Sequence, residues 1–158
     1  GGIINFKVIK VKLTILNTRE QKPIYSLLKS QFGFSKKLEY AFLLSEKEKI
    51  YIANKEVFEI DMKKLNVSSV GMYFGELRND ELRLSIEGSQ LIGSEALKGV
   101  VEVDDPTGWM SGLDIPYDGS EKGFVLIKHG DDYLGCGKVV DGKVLNYVGK
   151  VRRIHISS

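Results

Sequence analysis

Gly123 to Val140 reads GFVLIKHGDDYLGCGKVV: an apolar run of strand length, a Gly-Asp turn at Gly130-Asp131, and a second strand that sets the chain's single cysteine between Gly135 and Gly137. On its C-terminal side GKVLNYV and VRRIHIS are further strand candidates, separated by Gly and Asp turns. VVEVDD precedes it as a short apolar strand, and PTGWMSGLD lies between, with Pro106 at a helix start and Gly112 near its end. Strands at such short intervals are the signature of a small closed barrel. The pairs Gly137-Lys138 and Gly142-Lys143 flank a Val-Val-Asp turn, which a hairpin explains better than a repeat does.

Upstream the texture differs. FKVIKVKLTIL (Phe6 to Leu16) mostly alternates apolar residues with lysine, the period of a half-exposed strand. A helix is expected next: Thr18 and Gln21 have capping-box spacing, Ile24, Leu27, Leu28 and Phe32 form one face, and Gly33 is a natural stop. Tyr40–Leu44 and Lys49–Ala53 read as a hairpin around a charged turn, and a short helix is expected over Glu56 to Leu65. Strand character resumes at Val70–Phe74 and, past a turn at Asn79-Asp80, at Leu82–Ile86, with Gly88 and Gly93 as breaks beyond it. The expectation is an α+β chain: a mixed domain over residues 1–95 and a β pseudo-barrel over 96–158, packed rigidly because no linker composition intervenes.

Composition narrows the function classes. With 158 residues, 42% of them hydrophobic, the chain has the apolar content for a real core. No apolar run is long enough to span a bilayer and no signal-peptide pattern opens the sequence, so a cytoplasmic protein is expected. One cysteine, Cys136, permits neither an internal disulfide nor a thiolate zinc cluster. The net charge is only +2, but it is segregated: residues 99–137 carry eight acids against two lysines, and residues 138–158 carry five bases against one aspartate. A basic surface beside an acidic one presents an electrostatic footprint to phosphate, although solvated charged faces give the same count.

The run from Val100 to Ile154 resembles the PUA domain, a small RNA-binding pseudo-barrel. The matching features are a first strand ending in acids (Val100–Asp105), a short helix directly after it (Thr107–Leu113), and an apolar strand whose Gly-Asp turn leads into Leu-Gly-Cys-Gly. More narrowly, GWMSGLDIP, GFVLIKHGDDYLGCGK and LNYVGKVRRIH are similar to the C-terminal region of Fmu-type RNA cytosine methyltransferases and to small archaeal stand-alone relatives of it. VSSVGMYFGEL and LRLSIEG in the N-terminal half are similar to the pre-PUA domain of Nip-type ribosome-assembly factors. The resemblance implies an RNA-binding adaptor engaging structured rRNA or tRNA in ribosome biogenesis or RNA modification. It does not imply methyl transfer, since the chain shows neither a glycine-rich nucleotide loop after a strand nor a Pro-Cys nucleophile motif. No enzyme activity, cofactor or metal is expected. The competing readings are a targeting subunit for a separate methyltransferase and a protein-interaction module without RNA contact.

Under the RNA reading the candidate residues are Gly135, Gly137, Lys138, Asn146, Tyr147, Lys150, Arg152 and Arg153. Glycines on a strand let a nucleic-acid backbone come close, or else mark a bulge or barrel corner. The five cations that include Lys143 attract phosphate, or else protect a sheet edge. Tyr147 offers a face on which an unpaired base stacks, and Asn146 can bond a base edge or a 2′-hydroxyl. Trp109 is expected as a core anchor between the two domains rather than a stacking platform. His129 and His155 are read as surface or structural residues, Asp105 as a helix cap, and Asp131 and Asp132 as turn formers.

Overall fold

A computed structural model describes residues 12–56 and 71–147. The early part of the expected first strand, the helix expected over Glu56 to Leu65 apart from Glu56 itself, and the VRRIHIS strand lie outside the described residues. Among those described, the fold is mixed α+β with two five-stranded sheets. The first sheet runs in the order β1 (Leu13–Ile15), β2 (Ala41–Ser45), β3 (Lys49–Ala53), β4 (Met72–Arg78) and β5 (Glu81–Leu84), every neighbour antiparallel. In the second, β6 (Val100–Glu102) pairs in parallel with β8 (Gly123–His129). β9 (Asp132–Val140), β10 (Lys143–Asn146) and the short β7 (Ile115–Pro116) continue the sheet antiparallel. Among the described residues the second sheet is a half-barrel compatible with a PUA-like fold, with β6 and β7 as its two edges.

Helix α1 (Thr18–Phe32) covers the first sheet with Ile24, Leu28 and Phe32, all buried at the anticipated spacing. Each such side chain contributes about 1.5–3 kcal/mol by leaving water. Its capping box is one residue earlier than Thr18 and Gln21 suggest. Asn17 accepts from the Glu20 backbone N–H at 2.8 Å, and the Glu20 carboxylate accepts from the Asn17 N–H at 3.1 Å. Asparagine caps at least as well as threonine, and a glutamate at the third helical position also complements the helix dipole. Gly33 ends the helix in the left-handed region, φ 62°.

The hairpin turns follow from local chemistry. Asn79 and Asp80 have φ 50° and 62°, and Asp141 and Gly142 have φ 48° and 78°, the two-residue geometry that matches the twist of antiparallel strands. Strand β5 stops at Leu84, and Ile86, expected to extend it, instead opens helix α2 (Ile86–Ile92). Ser85 caps that helix by accepting from the Gly88 N–H at 2.9 Å. Gly88 therefore lies inside a helix rather than breaking the chain. It is glycine because α2 lies directly on β4: a Cβ there would stand 2.3 Å from the Phe74 carbonyl oxygen.

The two sheets share one apolar cluster. Phe124, Leu126 and Cys136 of the second join Phe32, Phe74 and Leu84 of the first part. A second cluster gathers Val101, Trp109, Val125, Ile127 and Val144. Trp109, on helix α3 (Thr107–Met110), is fully buried there and donates its indole N–H to the Leu134 carbonyl at 2.9 Å. It is a core anchor as expected, but for the outer face of the second sheet rather than between the two halves.

Two glycines of ordinary helical backbone make opposite predictions. Gly88→Ala should lose about 1–3 kcal/mol in urea unfolding, because the clash is with backbone and outweighs the gain in helix propensity. In α3, Gly108 would place its Cβ 3.8 Å from Leu113 Cδ1, so Gly108→Ala should be neutral or stabilising by up to about 1 kcal/mol. Equal losses for both would refute the packing account of Gly88.

Candidate nucleic-acid interface

The period of a strand divides the sequence candidates into two groups. Lys138 pairs with Phe124 on β8 and with Leu145 on β10, so it shares the face that looks toward the first sheet. Gly137 pairs with Val125 and Asn146, and that face looks toward Trp109. Tyr147 follows Asn146 and lies with Lys138's group: its ring centroid is 6.1 Å from that of Phe124. Lys138 and Tyr147 are thus brought together, while Gly135, Gly137 and Asn146 are elsewhere. Lys150, Arg152 and Arg153 lie outside the described residues.

The glycines of the Leu-Gly-Cys-Gly motif serve the chain's own packing. A Cβ on Gly137 would be 2.7 Å from Trp109 Cη2 and 2.4 Å from Val144 Cγ1, so the close approach it permits is to the indole. Gly135 is buried at a bulge: Leu126 pairs with Cys136 and Lys128 with Tyr133, leaving Leu134 and Gly135 opposite the single Ile127. Its φ of 116° is open to glycine and closed to most other residues. The Asn146 side-chain amide donates to the Trp109 and Leu113 carbonyls at 2.8 and 3.1 Å, and its backbone N–H donates to Asp114 Oδ1 at 2.8 Å. Within the chain, the close approach that Gly137 permits is to Trp109, and Asn146 ties β10 to the end of α3.

At the seam the first sheet supplies what sequence reading missed. Strand β5 alternates Glu81 and Arg83 outward with Leu82 and Leu84 inward. The Arg83 guanidinium lies over the Tyr147 ring, 5.1 Å from its centroid. Lys138 Nζ lies 5.3 Å from the Phe124 ring centroid and 3.5 Å from Glu81 Oε2. Beneath this, Glu76 of β4 is buried, and its two oxygens accept from different arginines: Oε1 from Arg78 Nε at 2.8 Å, and Oε2 from Arg83 Nη2 at 2.7 Å. One carboxylate between two guanidiniums leaves a net positive charge and fixes both side chains. Tyr147 keeps 39% of its surface exposed beside them. The alternation of ELRL makes Glu81 and Arg83 neighbours on one face. Nothing local in the sequence says that this face meets Tyr147, 64 residues after Arg83.

Other titratable groups have structural work. Asp105 Oδ1 accepts from the Thr107 N–H at 3.0 Å, and that bond holds its carboxyl below the usual range, in the capping role expected. His129 Nδ1 is 2.9 Å from the Val103 carbonyl oxygen. Among the described residues no three His, Cys, Asp or Glu side chains cluster as metal ligands would, and no helix is long and apolar enough to cross a membrane.

Residues 98–154 match the family model of the methyltransferase RsmF PUA domain. The matched span takes in β6 to β10, α3, Lys138 and Tyr147. This part of the chain is thus similar to a methyltransferase PUA domain, in line with the resemblance drawn from its sequence. The match covers none of the residues on which the pre-PUA likeness rests, and no curated protein matches the chain.

Cys136 makes the interface's clearest chemical prediction. Burial pushes its thiol up to about 12. The folded state therefore holds the thiol proton more tightly than the unfolded chain does. That stabilisation is complete below the ordinary thiol range near 8.5 and fades as pH climbs from there toward about 12. A disulfide reagent such as DTNB at pH 8 should label Cys136 only after unfolding in urea, and stability should fall above pH 9. Rapid labelling of the native protein would show the thiol to be accessible and its packing role mistaken.

Proposed function

We propose that the protein is a non-catalytic RNA-binding adaptor that engages structured rRNA or tRNA, in ribosome biogenesis or RNA modification. The observation that carries this reading is the match of residues 98–154 to the PUA domain of an RNA methyltransferase, since PUA domains generally bind RNA. The seam geometry supports it: a partly exposed tyrosine beside an arginine held in place, with a lysine on the phenylalanine that backs it, is what an RNA loop uses for stacking and phosphate contact. Lys138, Lys150, Arg152 and Arg153 attract phosphate, Tyr147 stacks an unpaired base, and residues 1–95, packed on the second sheet through the shared apolar cluster, position the RNA-binding part.

The same match favours one second reading, in which the chain is the targeting subunit of a methyltransferase whose catalytic domain is on another polypeptide. The two readings share the RNA contact and differ in whether a catalytic chain co-purifies.

Fluorescence anisotropy tests the shared part, using a labelled hairpin RNA and a DNA duplex of equal length over a salt series. RNA should bind more tightly than DNA. Lys138→Ala, and separately the triple variant Lys150/Arg152/Arg153→Ala, should weaken binding and reduce the salt slope by about one unit per phosphate contact removed. Absence of RNA binding, or unchanged slopes in both variants, would overturn the reading.

A further inference from the structure

The aromatic and cationic side chains at the seam do not stop at Tyr147. On the first sheet, Tyr51 of β3 pairs with Tyr73 of β4, and their ring centroids are 5.6 Å apart at 50°. Both rings are half-buried. Arg83 pairs across the ladder with Glu76, on the same strand as Tyr73 and near enough to act electrostatically on the Tyr73 phenol, and Arg83 in turn covers Tyr147. Tyr51 and Tyr73 thus stand on the same side of the sheets as the contact series Arg83, Tyr147, Phe124 and Lys138, with Arg83 between the two groups. Phe124 is nearly buried and serves as a support for Tyr147, so the faces in reach of a ligand are those of Tyr147, Tyr73 and Tyr51.

We infer that this strip is a binding site for an unpaired RNA strand, running from the PUA-like sheet onto the N-terminal sheet and stacking bases on Tyr147 at one end and on the Tyr51–Tyr73 pair at the other. The inference rests on the RNA-binding reading above and adds to it the conformation of the RNA and the participation of the N-terminal half. The balance of charge favours a polyanion: Arg78 and Arg83 share the carboxylate of Glu76, Lys138 pairs at 3.5 Å with Glu81, which stands across the ladder from Arg78, and Arg78 keeps a 58% exposed side chain beside the strip. Lys49 stands directly across the ladder from Glu76 and adds a further cation on that face. Rings interleaved with cations suit a chain that alternates flat bases with phosphates. The bases must be unpaired, because in an A-form duplex their faces are stacked on one another and closed to tyrosine.

The test uses a fluorescein-labelled 12-nucleotide polyuridine, which has no secondary structure, beside the hairpin RNA. Wild type should bind the polyuridine, and Tyr51→Leu and Tyr73→Leu should each weaken that binding by about tenfold, the scale of one lost base stack. If polyuridine binding depends on Tyr147 and Lys138 but is unchanged in both Leu variants, the extension onto the first sheet is wrong while the RNA-binding reading stands. If wild type binds the hairpin but not polyuridine, the unpaired-strand inference likewise fails alone; if it binds neither RNA, both fall. Because Tyr73 is half-buried and its replacement can disturb folding, photocrosslinking of wild type to 5-iodouridine-substituted polyuridine gives an independent readout. Crosslinked peptides should contain Tyr51 or Tyr73. Crosslinks confined to the peptide carrying Tyr147 would overturn the inference.

Discussion

Strand β8 is buried on both faces, and the rest of the molecule is arranged around that constraint. Phe124 and Leu126 point into the cluster shared with α1 and the first sheet, while Val125 and Ile127 point into the cluster closed by Trp109. A strand in that position cannot alternate apolar with polar residues, so Phe124 to Ile127 is apolar without a break. Each neighbour must then supply a face in the right phase. Cys136 opposite Leu126 fills the first cluster with a small side chain, and Gly137 opposite Val125 vacates space for the indole on the other side. The alternation of small residues in Leu-Gly-Cys-Gly follows from a strand pressed between β8, Trp109 and a bulge.

This explains which features were legible in the sequence. The apolar run, the Gly-Asp turn, the β2–β3 hairpin, the turn at Asn79-Asp80, and the face and end of α1 all follow from local rules, as does a hairpin between Gly137 and Lys143, though its turn is Asp141-Gly142 and not Val-Val-Asp. The structure bears them out. Helix α2 was hidden because a serine and a glycine inside IEGSQLI argue against a helix on propensity alone. Packing against the Phe74 carbonyl overrides that preference, since only a residue without Cβ lets the helix lie so close. Strand spacing reports how many strands there are but not which edges meet, and the VRRIHIS strand that the expected closed barrel counts lies outside the described residues.

The interface was half legible for the same reason. Tyr147 and Lys138 stand out by residue type, whereas Arg83 looks like any charged residue on an exposed strand. Its importance comes from what it touches, and those partners come from four strands or their ends: Glu76 on β4 beside Tyr73, Arg83 itself on β5, and Tyr147 just past β10, backed by Phe124 on β8. Contacts of such long sequence separation leave no periodic trace.

The buried carboxylate of Glu76 is an unfavourable feature for stability taken alone, since desolvating a charge costs several kcal/mol and a hydrophobic replacement often does better. Its geometry suggests what the cost secures. An exposed arginine samples many rotamers and gives up that freedom on binding, at about 0.5–1.5 kcal/mol for each side chain immobilised. Arg83, tied to Glu76 at one nitrogen and resting on Tyr147, has already lost it in the folded protein. Under the proposed RNA reading, a phosphate arriving at the seam would meet a cation whose position is set by the first sheet and an aromatic face set by the second. The spacing of the two is fixed by the shared core beneath them, so under that reading the affinity of the seam would depend on both halves of the chain packing as one.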